Sequence, residues 1–340
     1  MKIIIDVMSG DNAPEELIRG AIEAANAFPV DIAVCGNAEI IDSVARDCGL
    51  DLSRLEVCHA PQVIDMEDSA LSVMREKNDS SMALGLKMLA EGRGDAFVSA
   101  GNTGALVAGA TLIVRKIKGV RRAAIGTVLP FTPPFLLLDA GANPEISADD
   151  AVQFAVMGSV YAEKMLGRPY PRVGLLNNGV EPTKGGEMRV EAYKKLSDDE
   201  NVNFIGNVEA REVPYSPCDV LVADGFSGNV VLKLCEGLGS YMFSRLKETM
   251  MQDVITKASA LVMKPKLKKL KTEFSASEYG GAPLLGISKP VIKAHGSSDA
   301  HAIKNAVKQA MTVVSSGVIP EMARYAAKKR EESKNDTKEG

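Results

Sequence analysis

Lys184 lies in the stretch Asn177 to Glu187, NNGVEPTKGGE, between small residues and just before a helical pattern. A lysine so placed can compensate two negative charges or a developing oxyanion, and it can give a proton to a leaving group. The alternative is a solvated surface lysine. Asn177, at the head of this stretch, adds an amide. Asp224 opens DGFSGN after an apolar run, and Ser227, Gly228 and Asn229 follow it with a hydroxyl, a free backbone and an amide. The alternative is a helix capped by Ser227 or Asn229, with Asp224 as a turn former. Gly101, Asn102, Thr103 and Gly104 open another helical pattern. Glycines admit a ligand close to the backbone, and N–H groups at a helix start attract anions. The alternative is a tight turn with Thr103 as N-cap. His295 in HGSSD can serve as an acid or base, or as a structural histidine ahead of a helix capped by Ser298 or Asp299. There is no HExxH, no nucleophile elbow, no Walker A loop and no GxGxxG, so a covalent intermediate has no evident nucleophile and nucleotide binding no motif.

These loops must be held by something, and the surrounding pattern says what. Short apolar, β-rich runs alternate with longer helical ones. Strands are expected at 3–8, 31–35, 55–58, 96–99, 124–129, 135–139, 172–177, 202–205, 220–223, 283–287 and 291–294. Helices are expected at 15–27, up to Cys48, and at 80–91, 103–118, 148–166, 186–196, 229–250 and 300–316. That alternation predicts an α/β fold with a mostly parallel sheet covered on both faces. Ligands bind beyond the carboxyl ends of such strands. The strand-end sequences here carry Asp11, Gly101 to Gly104, Asn143, Asn177 and Asp224, so the parallel topology is expected to gather them along one edge. No linker divides the chain. It reads as one domain over 1–327, followed by a charged tail at 328–340 expected to lack fixed structure.

The balance of 40 basic against 44 acidic residues gives a net charge of −4, so any basic patch is local. With no tryptophan and no basic-aromatic interleaving, nucleic-acid binding is not expected. Five scattered cysteines without a CxxC pair argue against a disulfide framework or zinc site and for a reducing cytoplasm. The N-terminal apolar run is too short for a signal peptide. No run reaches the roughly 18 residues of a spanning helix.

One local patch does stand out. Residues 253–274 read DVITKASALVMKPKLKKLKTEF. Val254, Ala258, Leu261 and Val262 share a helical face, Pro265 breaks the pattern, and Leu267, Leu270 and Phe274 resume it. Lys257, Lys264, Lys266, Lys268, Lys269 and Lys271 fill the remainder. The pattern predicts a protruding helical hairpin at about 251–274. It suits an anionic membrane surface or an acidic protein, or else an oligomer interface with solvated lysines.

Taken in order, DVMSGDNAP, SAGNTGAL, LLLDAGAN, LLNNGVEPTKG, DGFSGNVVLK and HGSSD resemble the PlsX family of phosphate acyltransferases. They span Asp6 to Asp299. One departure is Ser9, where the family usually has a second glycine. The resemblance implies a three-layer α/β/α fold similar to isopropylmalate dehydrogenase and phosphotransacetylase. It implies transfer of a long-chain fatty acyl group from acyl carrier protein to inorganic phosphate, with no cofactor and no metal. It further implies a homodimer in the cytoplasm, peripherally associated with the membrane. There the acyl phosphate passes to a membrane glycerol-3-phosphate acyltransferase for phospholipid synthesis. Lys184 and Asp224 match the residues regarded as catalytic. On this reading the Gly101 to Gly104 amides hold phosphate. Lys184 stabilises the oxyanion or protonates the thiolate, and Asp224 orients phosphate or Lys184. Asp11, Asn143, Asn177, Ser227, Gly228, Asn229 and His295 line the phosphate and thioester site. Leu261, Val262, Lys264, Lys266, Lys268 and Lys269 meet membrane or carrier protein.

Two other readings stay open. One is a phosphotransacetylase-like enzyme using acyl-coenzyme A. The other is a non-catalytic scaffold at the membrane surface that binds lipid-synthesis partners. A nicotinamide-dependent dehydrogenase is weaker, since no clustered aspartates for metal and no adenine-site signature are visible.

Overall fold

The computed structural model describes residues 1–273 and 280–339, without the side chains of Val254, Lys268, Lys269, 271–273 and 332–339. Its first half runs β1 (Lys2–Asp6), α1 (Glu15–Ala27), β2 (Asp31–Gly36), α2 (Ala38–Cys48), β3 (Leu55–His59), α3 (Ser81–Ala90), β4 (Ala96–Ser99) and α4 (Thr103–Gly109). α4 continues into a π-helical stretch, Ala110–Arg115. The second half runs β5 (Ala124–Leu129), β6 (Phe135–Leu138), α5 (Ala148–Leu166), β7 (Arg172–Asn177), α6 (Glu187–Asp198), β8 (Asn203–Glu209), β9 (Val220–Val222) and α7 (Gly225–Met250). It closes with α8 (Val254–Glu273), β10 (Ala282–Leu285), β11 (Val291–Lys293), α9 (Ala300–Ser316) and α10 (Val318–Glu339).

The strands form one sheet in the order β3-β2-β1-β4-β11-β10-β5-β6-β9-β7-β8. Side chains alternate between its faces, as the two-residue repeat of a strand requires. Ile3 and Ile5 of β1 pack in the core beneath α1, α5 and α9, with Leu17, Phe154 and Ile303. Ile4, between them, packs in the other core beneath α3, α4 and α7, with Leu86, Leu106 and Val231. All three isoleucines are fully buried, each such side chain adding about 1.5–3 kcal/mol. Because both faces are covered, central strands such as β6 (FLLL) and β9 (VLV) are continuously apolar, and the three-layer α/β/α arrangement follows.

The expected gathering of every strand tip on one edge is corrected by the pairing. β1, β2, β3, β4 and β11 run together. β10 is antiparallel to both β11 and β5, and β5 is antiparallel to β6. β6, β9, β7 and β8 are mutually parallel. Two half-sheets of opposite direction result, joined through β10 and β5.

The lysine-rich hairpin also differs. Its arms are α7 and α8, turning at 251–253, and α8 runs straight through Pro265. Proline removes one N–H from a helix but need not end it where the other bonds persist. Phe274 lies outside the described residues. The tail at 328–339 continues α10 as helix, consistent with its run of lysine, arginine and glutamate at 328–332; residue 340 is outside the described residues. Among the described residues no helix is long and apolar enough to cross a membrane.

Candidate functional site

The first cluster sits where β1, β4 and β11 end. Asp6 is fully buried, and its carboxylate accepts from Ser99 Oγ at 2.9 Å and from the Met8 amide at 3.1 Å. Ser99 Oγ in turn accepts from the Gly101 amide at 3.1 Å. Lys293, at the tip of β11, donates to the Ala100 carbonyl at 3.1 Å and to the Ala294 carbonyl. Burial pushes its ammonium down to about 8, against the opposing pull of Asp11 and Asp6. The Asp11 amide donates to the Gly296 carbonyl at 2.8 Å, so the loops at 9–12, 99–104 and 294–299 are tied into one block. His295 Nδ1 lies 2.8 Å from Ser297 Oγ within its own turn, and Asp299 caps α9 through the Ala302 amide.

Asn102, not Thr103, is the N-cap of α4. Its Oδ1 accepts from the Ala105 amide at 3.0 Å. Its Nδ2 donates to the carbonyls of Asp65, Met66 and Asp68, holding the preceding loop down. The side chain is therefore fully engaged in structure. The amides of Asn102, Thr103 and Gly104 have no acceptor among the described residues.

The second cluster sits where β6, β9 and β7 end. Asp224 is the N-cap of α7: Oδ1 accepts from the Ser227 amide at 2.8 Å, and Oδ2 from Ser227 Oγ at 2.9 Å. Arg189 of α6 pairs with Asp224 Oδ2 at 2.5 Å, also reaches Ser227 Oγ at 3.0 Å, and donates from Nε to the Leu176 carbonyl at 3.3 Å. The loop from Asn177 to Gly186 closes over it. Asn177 Nδ2 donates to the Lys184 carbonyl at 3.1 Å. Gly185 takes φ +80°, and a Cβ there would lie 2.7 Å from Asn177 Oδ1 and 2.8 Å from Arg189 Cδ. Lys184 itself is exposed. Its ammonium has no hydrogen-bond or ion-pair partner among the described residues.

The neighbouring β6 tip supports this cluster structurally. Asp139 is fully buried and accepts from the amides of Ile125, Gly141, Ala142 and Asn143. Burial raises its carboxyl despite those bonds. Asn143 spends both amide hydrogens, on the Ala123 carbonyl and on Asp139. Gly228 is a packing glycine, since a Cβ there would fall 1.9 Å from the Asp139 carbonyl oxygen. Asn229 donates to the Ala140 carbonyl at 3.2 Å. Beside them an open recess of about 230 Å³ is lined by Gly141, Pro144, Gly225, Phe226, Asn229 and Val230.

The structure thus brings Asn177, Lys184, Asp224, Ser227, Gly228, Asn229 and Asn143 to one cluster, and Asp11, Gly101 to Gly104 and His295 to another. No hydrogen bond or ion pair joins the two among the described residues. Leu261, Val262, Lys264 and Lys266 are exposed on α8, apart from both; the side chains of Lys268 and Lys269 lie outside the described residues. Two residues escaped the sequence reading. Lys293 ends an ordinary strand pattern, and Arg189 sits in a charged helix, EMRVEAYKK. The available signal for each was its place one strand end or one helical turn from a polar loop.

Comparison with known proteins agrees with this fold. The family described as "Fatty acid synthesis protein" matches residues 1–321. A phosphate acyltransferase of Thermoanaerobacter pseudethanolicus is 46% identical over 94% of this chain and 95% of its own length. One from Clostridioides difficile is 41% identical over the whole of both chains. Among solved structures, a phosphotransacetylase from Streptococcus pyogenes superposes with a TM-score of 0.63 at 17% identity, covering 94% of each chain. The EutD phosphotransacetylase of Staphylococcus aureus gives 0.59 at 17%, covering 92% of this chain and 94% of its own. At those identities the structural likeness speaks for the fold alone. The sequence matches run through every loop described above, and the chain accordingly belongs to the PlsX family of phosphate acyltransferases and is an acyltransferase.

Proposed function

We propose that this chain transfers a long-chain fatty acyl group from acyl carrier protein to inorganic phosphate, giving an acyl phosphate for phospholipid synthesis. The observation that carries this reading is the meeting of Asp224, Arg189 and the Lys184 loop at adjoining strand tips, in a member of this family. Phosphate dianion is already a nucleophile near neutral pH, so no covalent enzyme intermediate is needed. A phosphate oxygen bonds to the thioester carbonyl carbon, the carbon–sulfur bond breaks, and sulfur takes up a proton. The proton lost by hydrogen phosphate balances the one gained by the thiol. Lys184 stabilises the tetrahedral oxyanion or protonates the departing sulfur, and Asp224 orients phosphate or Lys184.

Phosphate itself is assigned to the three unclaimed amides at 102–104. Both clusters must then face a common cleft. β4 and β9 are five steps apart, about 24 Å along the sheet at roughly 4.8 Å per strand. Right-handed twist of roughly 20–25° per step accumulates to roughly 100–125° across them. Strands opposed in the ladder are thereby swung toward a shared side, which supports the assignment. The recess beside Phe226 and Val230 suits the thioester arm.

The exposed apolar residues Phe226, Val230, Leu234, Leu238 and Tyr241 recur along α7, which favours a homodimer. Leu261 and Val262 are 72% and 80% exposed on α8 beside Lys264 and Lys266, which favours peripheral contact with the inner face of the cell membrane or with acidic carrier protein. A membrane acyltransferase that consumes acyl phosphate fits that location. The deciding assay incubates the chain with long-chain acyl carrier protein and labelled phosphate. Labelled, acid-labile acyl phosphate and free carrier protein are expected. Turnover of acetyl-coenzyme A alone would instead make it phosphotransacetylase-like, and turnover of no thioester would leave a scaffold.

A further inference from the structure

We infer that Arg189 is a positioning residue that fixes the Asp224 carboxylate beneath the Lys184 loop. The inference rests on the reading above that this cluster carries the reaction. Three elements meet on one side chain. Nε is bound to the β7 tip through the Leu176 carbonyl, and Nη2 to Asp224 and Ser227 at the β9–α7 turn. The aliphatic stem lies under Gly185, at a distance only glycine allows. The ion pair is also well shielded, with Arg189 25% and Asp224 9% exposed. No described contact joins Lys184 to Asp224 directly, and Arg189 touches both the Asp224 carboxylate and the space beneath Gly185, the neighbour of Lys184.

The geometry explains why arginine is needed. A guanidinium donates in several fixed directions at once, whereas a lysine ammonium on a flexible stem cannot span Leu176 and Asp224 in the same way. Asp224 retains its cap through the Ser227 amide whether or not Arg189 is present. Removing Arg189 therefore leaves Oδ2 held by the Ser227 hydroxyl alone, without its charged partner, while α7 stays capped. A misplacement of about 1 Å at a reacting group can cost about 10²-fold in rate.

The test measures acyl phosphate formation from long-chain acyl carrier protein and phosphate by the full-length chain. Arg189→Met is expected to lower kcat about 10²-fold while the thioester KM changes less than about threefold. Adding Arg189→Met to Asp224→Asn should cost less than about threefold beyond Asp224→Asn alone, because both act through one carboxylate. Arg189→Ala should regain at least about tenfold with millimolar methylguanidinium and nothing with methylurea, a charge-dependent response that a merely structural role would not give. Near-normal kcat in Arg189→Met, losses that multiply in the double variant, or no methylguanidinium rescue would each overturn the inference. If Lys184→Ala and Asp224→Asn both stay active, the broader reading of the site fails. If they are inactive and Arg189→Met is not, only this inference fails.

Discussion

At the tips of β1, β4 and β11 the polar side chains turn on one another: Asp6 on Ser99, Lys293 on Ala100, Asn102 on the loop at 65–68. At the tips of β6, β9 and β7 the side chain of Lys184 stands in solvent above a bound Arg189–Asp224 pair. Both clusters grow from the same local grammar, an apolar strand followed by a glycine-bearing polar turn. The first uses its side chains as a lock and leaves backbone amides free. The second presents side chains. A site for a tetrahedral anion beside a thioester needs both, rigid donors for the anion and a mobile charge for the oxyanion.

The sharpest way to break this contrast is Lys184→Ala. If the second cluster presents its side chains for chemistry, acyl phosphate formation should fall about 10²–10³-fold, equivalent to about 3–4 kcal/mol of transition-state stabilisation. Because Lys184 is exposed and unpartnered, thermal unfolding should stay within about 0.5 kcal/mol of the parent. A large loss of stability would mean that Lys184 belongs to a lock after all.

The lock in the first cluster can be read from pH. The Lys293 ammonium sits at about 8 in the fold against 10.5 when exposed. Between those values the unfolded chain binds more protons, so this group makes stability rise with pH through that window and contributes nothing to the slope below it. The rise amounts to about 3 kcal/mol. From pH 7 to 10.5 the stability of the parent against denaturation should rise by about that amount more than that of Lys293→Met. Equal slopes would mean that Lys293 is not confined as described.

Next in size is Thr103→Pro. Proline is tolerated at the first position of a helix, and Asn102 already has φ −51° and ψ 119°, compatible with a following proline. The substitution deletes one free amide and little else. If that amide holds phosphate, phosphate KM should rise about 10–100-fold, the effect of one hydrogen bond to a charged group, with kcat less affected. An unchanged KM would move the anion away from the first cluster.

The smallest effect on turnover is expected from Leu261→Asp with Val262→Asp on α8. These residues touch neither cluster, so kcat in solution should hold, while sedimentation with anionic vesicles should drop. Loss of kcat together with binding would place the arm within the site.

Much of this was readable in advance, for identifiable reasons. The strand at 96–99 and the one at 135–138 are short, apolar and bounded by glycine and proline signals, and such local patterns survive folding. The polar loops after them are equally local, and so Asp224, Lys184 and the 101–104 turn could be named from the chain alone. The caps differ from the sequence expectation, by one residue at Asn102, expected at Thr103, and by three or five at Asp224, expected at Ser227 or Asn229, because Ser, Thr, Asn and Asp compete for the same role and backbone geometry chooses among them. The hairpin was split at Pro265 because proline weighs heavily in a local reading, while a long helix packed along α7 tolerates it.

The order of elements and the chemistry of each loop were fixed by the sequence itself, since strand, helix and turn preferences act over a few residues. The direction of each half-sheet was decided only in three dimensions. Residues 282–293 return from far along the chain to wedge β10 and β11 between β4 and β5, and a pairing across nearly 200 residues leaves no mark on local pattern. The same holds for Arg189 and Lys293. Each looks like any charged residue on a helix or strand until distant loops close around it, and it is burial beside a partner that turns a common side chain into part of a site.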